Sequence, residues 1–257
     1  MAMGSACGPV PAAVINITTN DSYTRIEAAK RGDTVVIAPG TYAFRVYLTN
    51  QVTPTNSIVI QALDPANPPV WDFGTNLVEN APGSYTAGDR GRGGWQFSGA
   101  QNYAISSIVF RHCRTASFNS AGIRYYNGTT NLYIKDCVFD HNDNGLTGGT
   151  QNSQATVEFC EFNANGNTNA SLSSPTHNIY VYGGYLALRY CYLQAGASFW
   201  SAPVLWRFQE GRRDLHRRTK KRQGTAAVQD ASRARGRASG RQLLECASPL
   251  ALSGGAT

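Results

Sequence analysis

The stretch "NLYIKDCVF", residues 131–139, decides how the chain is read. It alternates apolar and polar side chains for several residues, the period of a strand with one buried face, and then runs into Cys-x-Phe. Three further segments align with it without gaps: "NYAISSIVF" from residue 102, "QATVEFCEF" from 154 and "YLALRYCYL" from 185. Ile105, Ile134, Val157 and Leu188 then share one column. Ile108, Cys137, Cys160 and Cys191 share a second, and Phe110, Phe139, Phe162 and Leu193 a third. The starts lie 29, 23 and 31 residues apart. A fixed strand core at uneven spacing means turns of variable length on a constant cross-section. Strand units with no helical pattern between them predict a parallel β-helix.

Equivalent residues on successive coils of such a stack lie about 4.8 Å apart, so like side chains form ladders. Cys137, Cys160 and Cys191 read as a buried thiol column, because free cysteine behaves as a small hydrophobe. A disulfide between neighbours would require its own specific geometry. The six cysteines show no CxxC pair and no Cys/His metal spacing. The position after the inward aliphatic holds Ser106, Lys135, Glu158 and Arg189, which alternation sends to the outer face. Two readings fit that plus-minus-plus series. One is an exposed ion-pair ladder worth about 0–1 kcal/mol; the other is a groove for an acidic ligand.

Upstream, "NDSYTRIEAAKRG" (20–32) predicts a short helix, with Asp21 or Ser22 as cap, Ile26 and Ala29 on one face and Gly32 just past the end. It would seal a stack end that is otherwise open to aggregation. "GDTVVIAPGTYAFRVYL" (32–48) reads as strands joined by a Pro-Gly turn, and "SIVIQAL" and "PPVWDF" continue as short strands.

The segments "GDTVVIAPGTY" (32–42) and "SIVIQALDPANPPVWDF" (57–73), together with the C-x-F rungs, resemble the right-handed parallel β-helix proteins of the pectin-lyase-like superfamily. The N-terminal part is similar to the group that holds chondroitinase-B-like and alginate-lyase-like enzymes. The resemblance spans roughly residues 15 to 195 and is specific for fold, since this segment recurs in proteins of many functions. It implies an all-β, single-stranded right-handed parallel β-helix with a short N-terminal capping helix. It also implies a secreted or periplasmic protein, expected as a monomer, that acts on acidic polysaccharide. β-Elimination on a uronate needs a cation or calcium to neutralise the carboxylate, a base for the C5 proton and an acid for the leaving oxygen. On that reading Lys135, His177 and Arg189 are the catalytic candidates, and Glu158, Asp140, His141 and Arg124 the substrate-binding ones. The alternative is a non-catalytic glycan-binding or surface scaffold.

Two of these candidates have a plainer reading. "DHNDNG" (140–145) can offer calcium ligands and a proton-transfer histidine, yet Asn, Asp and Gly are also the ordinary turn formers. It is no EF-hand loop, and "ANGN" (164–167) looks like the same turn one repeat later, where β-helices stack asparagines. His177 opens "HNIYVYGGYLALRYCYL" after a long insertion, and insertions on solenoids often gather on the binding face. His112, between Arg111 and Arg114, has no assigned place, and the "GDRGRGGW" loop (88–95) is a generic anion-binding pattern.

The formal charge of +7 is unevenly spread. Residues 1–200 hold 11 Lys and Arg against 12 Asp and Glu, whereas residues 201–257 hold 12 against 4. Asn, Ile and Tyr vanish from that tail, and ten of its residues are Arg. The expected organisation is an extension (1–19), a β-helix domain (20–195) and a basic tail of low order (196–257). Three readings of the tail stay open: a basic arm for nucleic acid, a small separate domain, or a segment translated out of frame in GC-rich DNA. The last would remove later coils and any catalytic residues they carried. No apolar run is long enough to span a membrane, and the first residues lack the pattern of a signal peptide.

Overall fold

A computed structural model describes residues 12–84, 93–117, 119–150, 152–166, 176–194, 200–201 and 206–209, the last two groups as backbone. Strand β1 (Val14–Ile17) and helix α1 (Tyr23–Glu27) precede the first coil, formed by β2 (Thr34–Ile37), β3 (Thr41–Tyr42) and β4 (Val46–Leu48). The second coil is β5 (Ile58–Ala62), β6 (Val70–Asp72) and β7 (Gly93–Ser98), and the third β8 (Gln101–Ser106), β9 (Val109–Arg111) and β10 (Ala121–Tyr126). The fourth is β11 (Thr130–Lys135), β12 (Val138–Asp140) and β13 (Asn144–Gly148). Next come β14 (Gln154–Glu158), β15 (Glu161–Asn163) and β16 (Ile179–Val181), then β17 (Tyr185–Arg189), β18 (Tyr192–Leu193) and β19 (Trp200–Ser201). Finally β20 (Trp206–Gln209) begins a seventh turn.

Every strand pairs in parallel with its counterpart one coil away. The first strands of the coils form an eight-stranded sheet (sheet A) with β1, the second strands a six-stranded sheet B, and the third strands a six-stranded sheet C. This is a right-handed parallel β-helix. The gapless alignment of the repeats is reproduced as strand register: Ile134 sits beside Ile105 and Val157, and Phe139 beside Phe110 and Phe162.

The core runs along the axis as ladders. Phe110, Phe139 and Phe162 stack at centroid spacings of 5.3 and 4.7 Å, within 11° of parallel. Such pairs add about 0.5–1.5 kcal/mol beyond the area they bury. Cys137 and Cys160 are wholly buried free thiols, with Cys191 at the less covered end of the same column. The turn from sheet B to sheet C is pinned by an asparagine ladder. Asn142 Nδ2 donates to the Phe110 carbonyl (3.0 Å) and to Asn165 Oδ1 (2.9 Å). Asn165 Nδ2 donates to the Phe139 carbonyl and to Asn178 Oδ1, both at 2.9 Å. Where this turn enters sheet C only a glycine fits at residue 145, since a Cβ there would lie 2.5 Å from the Asn178 carbonyl oxygen.

The structure differs from the sequence-based boundaries in three places. Helix α1 covers five residues and not 20–32, because the Asp33 carboxylate accepts the Lys30 and Ala13 amides (2.8 Å each) and turns the chain toward β2. Ser22 occupies the N-cap position without a side-chain cap bond, while Asp21 bonds Thr18 and Arg25. Gly32, at φ +83°, belongs to that turn and not to a helix end. The expected face is nevertheless right: Ile26 and Ala29 are buried in the core. The stack also reaches beyond 20–195 at both ends. β1 pairs with β2, while β19 and β20 continue sheets C and A past residue 195. An open strand edge offers unpaired N–H and C=O groups that any extended neighbour can satisfy. Residues 210–257, with most of the basic tail, lie outside the described residues, as do Cys7 and Cys246. Among the described residues no helix is long and apolar enough to cross a membrane.

Candidate functional site

The seven candidate residues fall on three different faces. Lys135, Glu158 and Arg189 share the outer column of sheet A in register with Ser106. Only half of the expected ladder closes. Glu158 takes Arg189 Nη1 on one oxygen (2.7 Å) and the Tyr133 hydroxyl on the other (2.8 Å). Lys135 turns instead to Asp136 (3.4 Å), its ammonium 5.9 Å from the Phe159 ring centre. Burial alone would raise the Glu158 carboxyl, but the bonds from Tyr133 and Arg189 hold it below the usual carboxylate range.

His177 lies at the entry to sheet C, 4% exposed. Its amide donates to Asn144 Oδ1 (2.8 Å), its carbonyl accepts the Gly145 amide, and its ring stacks 5.5 Å from Tyr180. Arg124 stands on the same sheet, in register with Gln96 and Thr147, its guanidinium 5.1 Å from the Tyr126 ring. The expected catalytic trio of Lys135, His177 and Arg189 therefore does not converge, because sheets A and C face different directions.

The turn "DHNDNG" divides its labour. Asn142 enters the ladder, and buried Asp143 accepts the Thr115 (2.9 Å) and Ser120 (3.1 Å) amides, its pKa raised by burial. Asp140 and His141 stay outside and meet residues of the two preceding coils. Asp72, Arg111 and Asp140 are in register on β6, β9 and β12. Arg111 Nε donates to Asp140 (3.1 Å), and its Nη1 lies 4.0 Å from Asp72. Each carboxylate also holds an imidazole by Nδ1: Asp72 holds His112 (2.8 Å) and Asp140 holds His141 (2.7 Å). The two rings are 6.0 Å apart, and Arg114, exposed beside them, donates to the His141 carbonyl (3.1 Å). Two imidazole–carboxylate pairs thus stand one coil apart with a guanidinium between the carboxylates.

Read from sequence alone, His112 and Arg111 stand without a role and Asp72 is passed over, although a signal exists. Carrying the gapless alignment two residues past Phe110 and Phe139 sets "RH" over "DH", so His112 falls on His141. Both histidines take the left-handed conformation (φ +52° and +53°) that the corner requires, and both rings are turned outward by it.

The calcium expectation does not fit this cluster. Both oxygens of Asp140 are engaged, one by Arg111 and one by His141, and a guanidinium occupies the place a cation would need. Among the described residues no group of three or more His, Cys, Asp or Glu is arranged to hold a metal.

No protein-family model and no curated protein sequence matches the chain. Solved structures do show similarity. One is a pectin methylesterase in complex with a hexasaccharide, at 14% identity and a TM-score of 0.46, covering 72% of this chain and 55% of that one. Pectin methylesterase PemA from Erwinia chrysanthemi stands at 13% and 0.46, covering 73% and 56%. An alginate lyase from a Paenibacillus species stands at 11% and 0.37, covering 77% of this chain and 98% of that one. The chain thus spans little more than half the length of the two pectin methylesterases.

Proposed function

We propose that this β-helix protein is glycan-active and works on acidic, uronate-bearing polysaccharide by β-elimination, outside the cytoplasm. The observation that supports it is the pair of imidazole–carboxylate dyads on sheet B with Arg111 and Arg114 alongside. Each aspartate fixes its histidine as the Nδ1–H tautomer, which leaves Nε2 to exchange a proton. One imidazole takes the C5 proton of the uronate. The electron pair forms the C4=C5 double bond, the C4–O bond breaks, and the second imidazole, protonated, gives its proton to the leaving oxygen. The exposed Arg114 guanidinium meets the uronate carboxylate and stabilises the charge that builds there.

The assay follows ultraviolet absorbance of the new double bond with alginate, polygalacturonate and chondroitin sulfate as substrates. The wild-type chain should release product from one of them. His112→Ala and His141→Ala should each lower kcat by about 10²-fold or more, while His177→Ala, if it folds, leaves the chemical step intact. Absence of product from all three substrates would reject elimination and leave the glycan-binding scaffold as the reading.

A further inference from the structure

The corner where sheet A turns into sheet B repeats with one backbone device. Ser107, Asp136, Phe159 and Tyr190 each hold φ between +50° and +58° there, and the amides of Ser107, Asp136 and Phe159 donate to the carbonyl of Lys135, Glu158 and Arg189 one coil on. This conformation suits Gly, Asn and Asp and disfavours bulky side chains. Two successive coils nevertheless place large aromatics at it. Phe159 and Tyr190 are 46% and 40% exposed, 5.0 Å apart and 14° from parallel. Neither enters the core, so packing of the interior does not account for them.

We propose that Phe159, Tyr190 and Lys135 form a binding wall for a sugar unit of an acidic polysaccharide. This rests on the glycan-directed reading above and gives it a grip distinct from the sheet B cluster. The two rings stack one above the other along the coil axis, so their exposed edges form one continuous apolar strip, against which the C–H groups of a pyranose pack. Lys135 Nζ stands 5.9 Å from the Phe159 ring, where a sugar carboxylate would reach it. Its present partner, Asp136, is half-exposed and weakly held, as surface pairs are, and exchanges readily for a ligand anion. A protein partner is the poorer fit, because stable protein interfaces bury about 1,200–2,000 Å², far more than two rings supply. The adjoining Arg189–Glu158–Tyr133 network fixes the sheet beneath the wall.

Affinity electrophoresis of the full chain through gels holding alginate, polygalacturonate or a neutral β-glucan tests this. An acidic glycan should retard the wild type more than the neutral one does. Phe159→Asn with Tyr190→Asn keeps a residue at home in the left-handed region, so the melting temperature should hold while the dissociation constant rises at least tenfold. Tyr190→Phe, which keeps the ring, should bind as wild type, and Lys135→Gln should weaken acidic glycans alone. Unchanged retardation in the double variant, or no retardation by either acidic glycan, overturns the proposal. Retardation lost in the double variant of a protein that releases no unsaturated product upholds the wall and rejects elimination. Product formed with an unchanged KM in that variant rejects the wall alone.

Discussion

Glu158 is held from two sides at once, and its charge is tied to the fold. Arg189 and Tyr133 both prefer the ionised carboxylate, and the tyrosine's own pKa is pushed up to about 12 by burial and by that bond. The folded-state pKa of Glu158 is depressed, so its contribution is present above the usual glutamate value of 4.5 and is lost as pH falls through the lower folded value. Glu158→Gln should therefore lower the melting temperature at pH 7, and the gap to wild type should close as pH falls below that value, which flattens the acid limb of the profile. A variant with an unaltered acid limb would show that the carboxylate is not coupled to folding. The Phe159 and Tyr190 backbones follow a related balance. Left-handed φ costs a non-glycine residue about 1–2 kcal/mol, and the aromatic stack returns about 0.5–1.5 kcal/mol. Two such backbones cost about 2–4 kcal/mol against the one stack, and asparagine lightens that cost, which is why the asparagine variant is expected to melt no lower than wild type.

At the scale of elements, the interior ladders set the coil and the asparagine ladder sets its corner. Asn165 makes one bond to the Phe139 carbonyl of the preceding coil and others to Asn142 and Asn178. Asn165→Leu strands buried polar groups above and below, each costing about 1–3 kcal/mol. Chemical unfolding should show a loss of several kcal/mol, well beyond what a surface asparagine substitution gives. The thiol column behaves differently because it is sealed. Burial pushes the Cys160 thiol well up, whereas Cys191 is drawn down by its hydrogen bond with Cys160. A thiol reagent should modify Cys191 before Cys137 or Cys160, and those two only on unfolding. These ladders were legible in the C-x-F repeats and in the echo of "DHND" by "ANGN". The short helix was less so, since the bonds of Asp33 to residues 13 and 30 that end it leave no mark in a local pattern.

Across the whole molecule, each coil touches only its neighbours, so stability accumulates along the axis and the ends decide whether it persists. β19 and β20 cover the edges of β16 and β17. A chain cut after Gln194 should melt lower and scatter light at concentrations where the full chain stays clear, because two strand edges are then open. Equal melting points for the two would mean that those pairings add nothing.

The sequence by itself determined the cross-section. Strand alternation and repeat spacing are local, and the 4.8 Å stacking of like residues follows from them directly. Ile134, Phe139 and Cys137 could be assigned to the interior, and Lys135, Glu158 and Arg189 to one outer column, from the text alone. Only the tertiary structure decided which outward residues meet. Lys135, His177 and Arg189 are candidates of equal standing in the sequence, yet a coil divides them among different faces. Asp72, His112 and His141 are scattered over 70 positions of sequence, yet one sheet edge gathers them with Asp140 and Arg111 into two adjoining imidazole–carboxylate pairs. Turn lengths set that gathering, and turn length is the one variable the repeat leaves free.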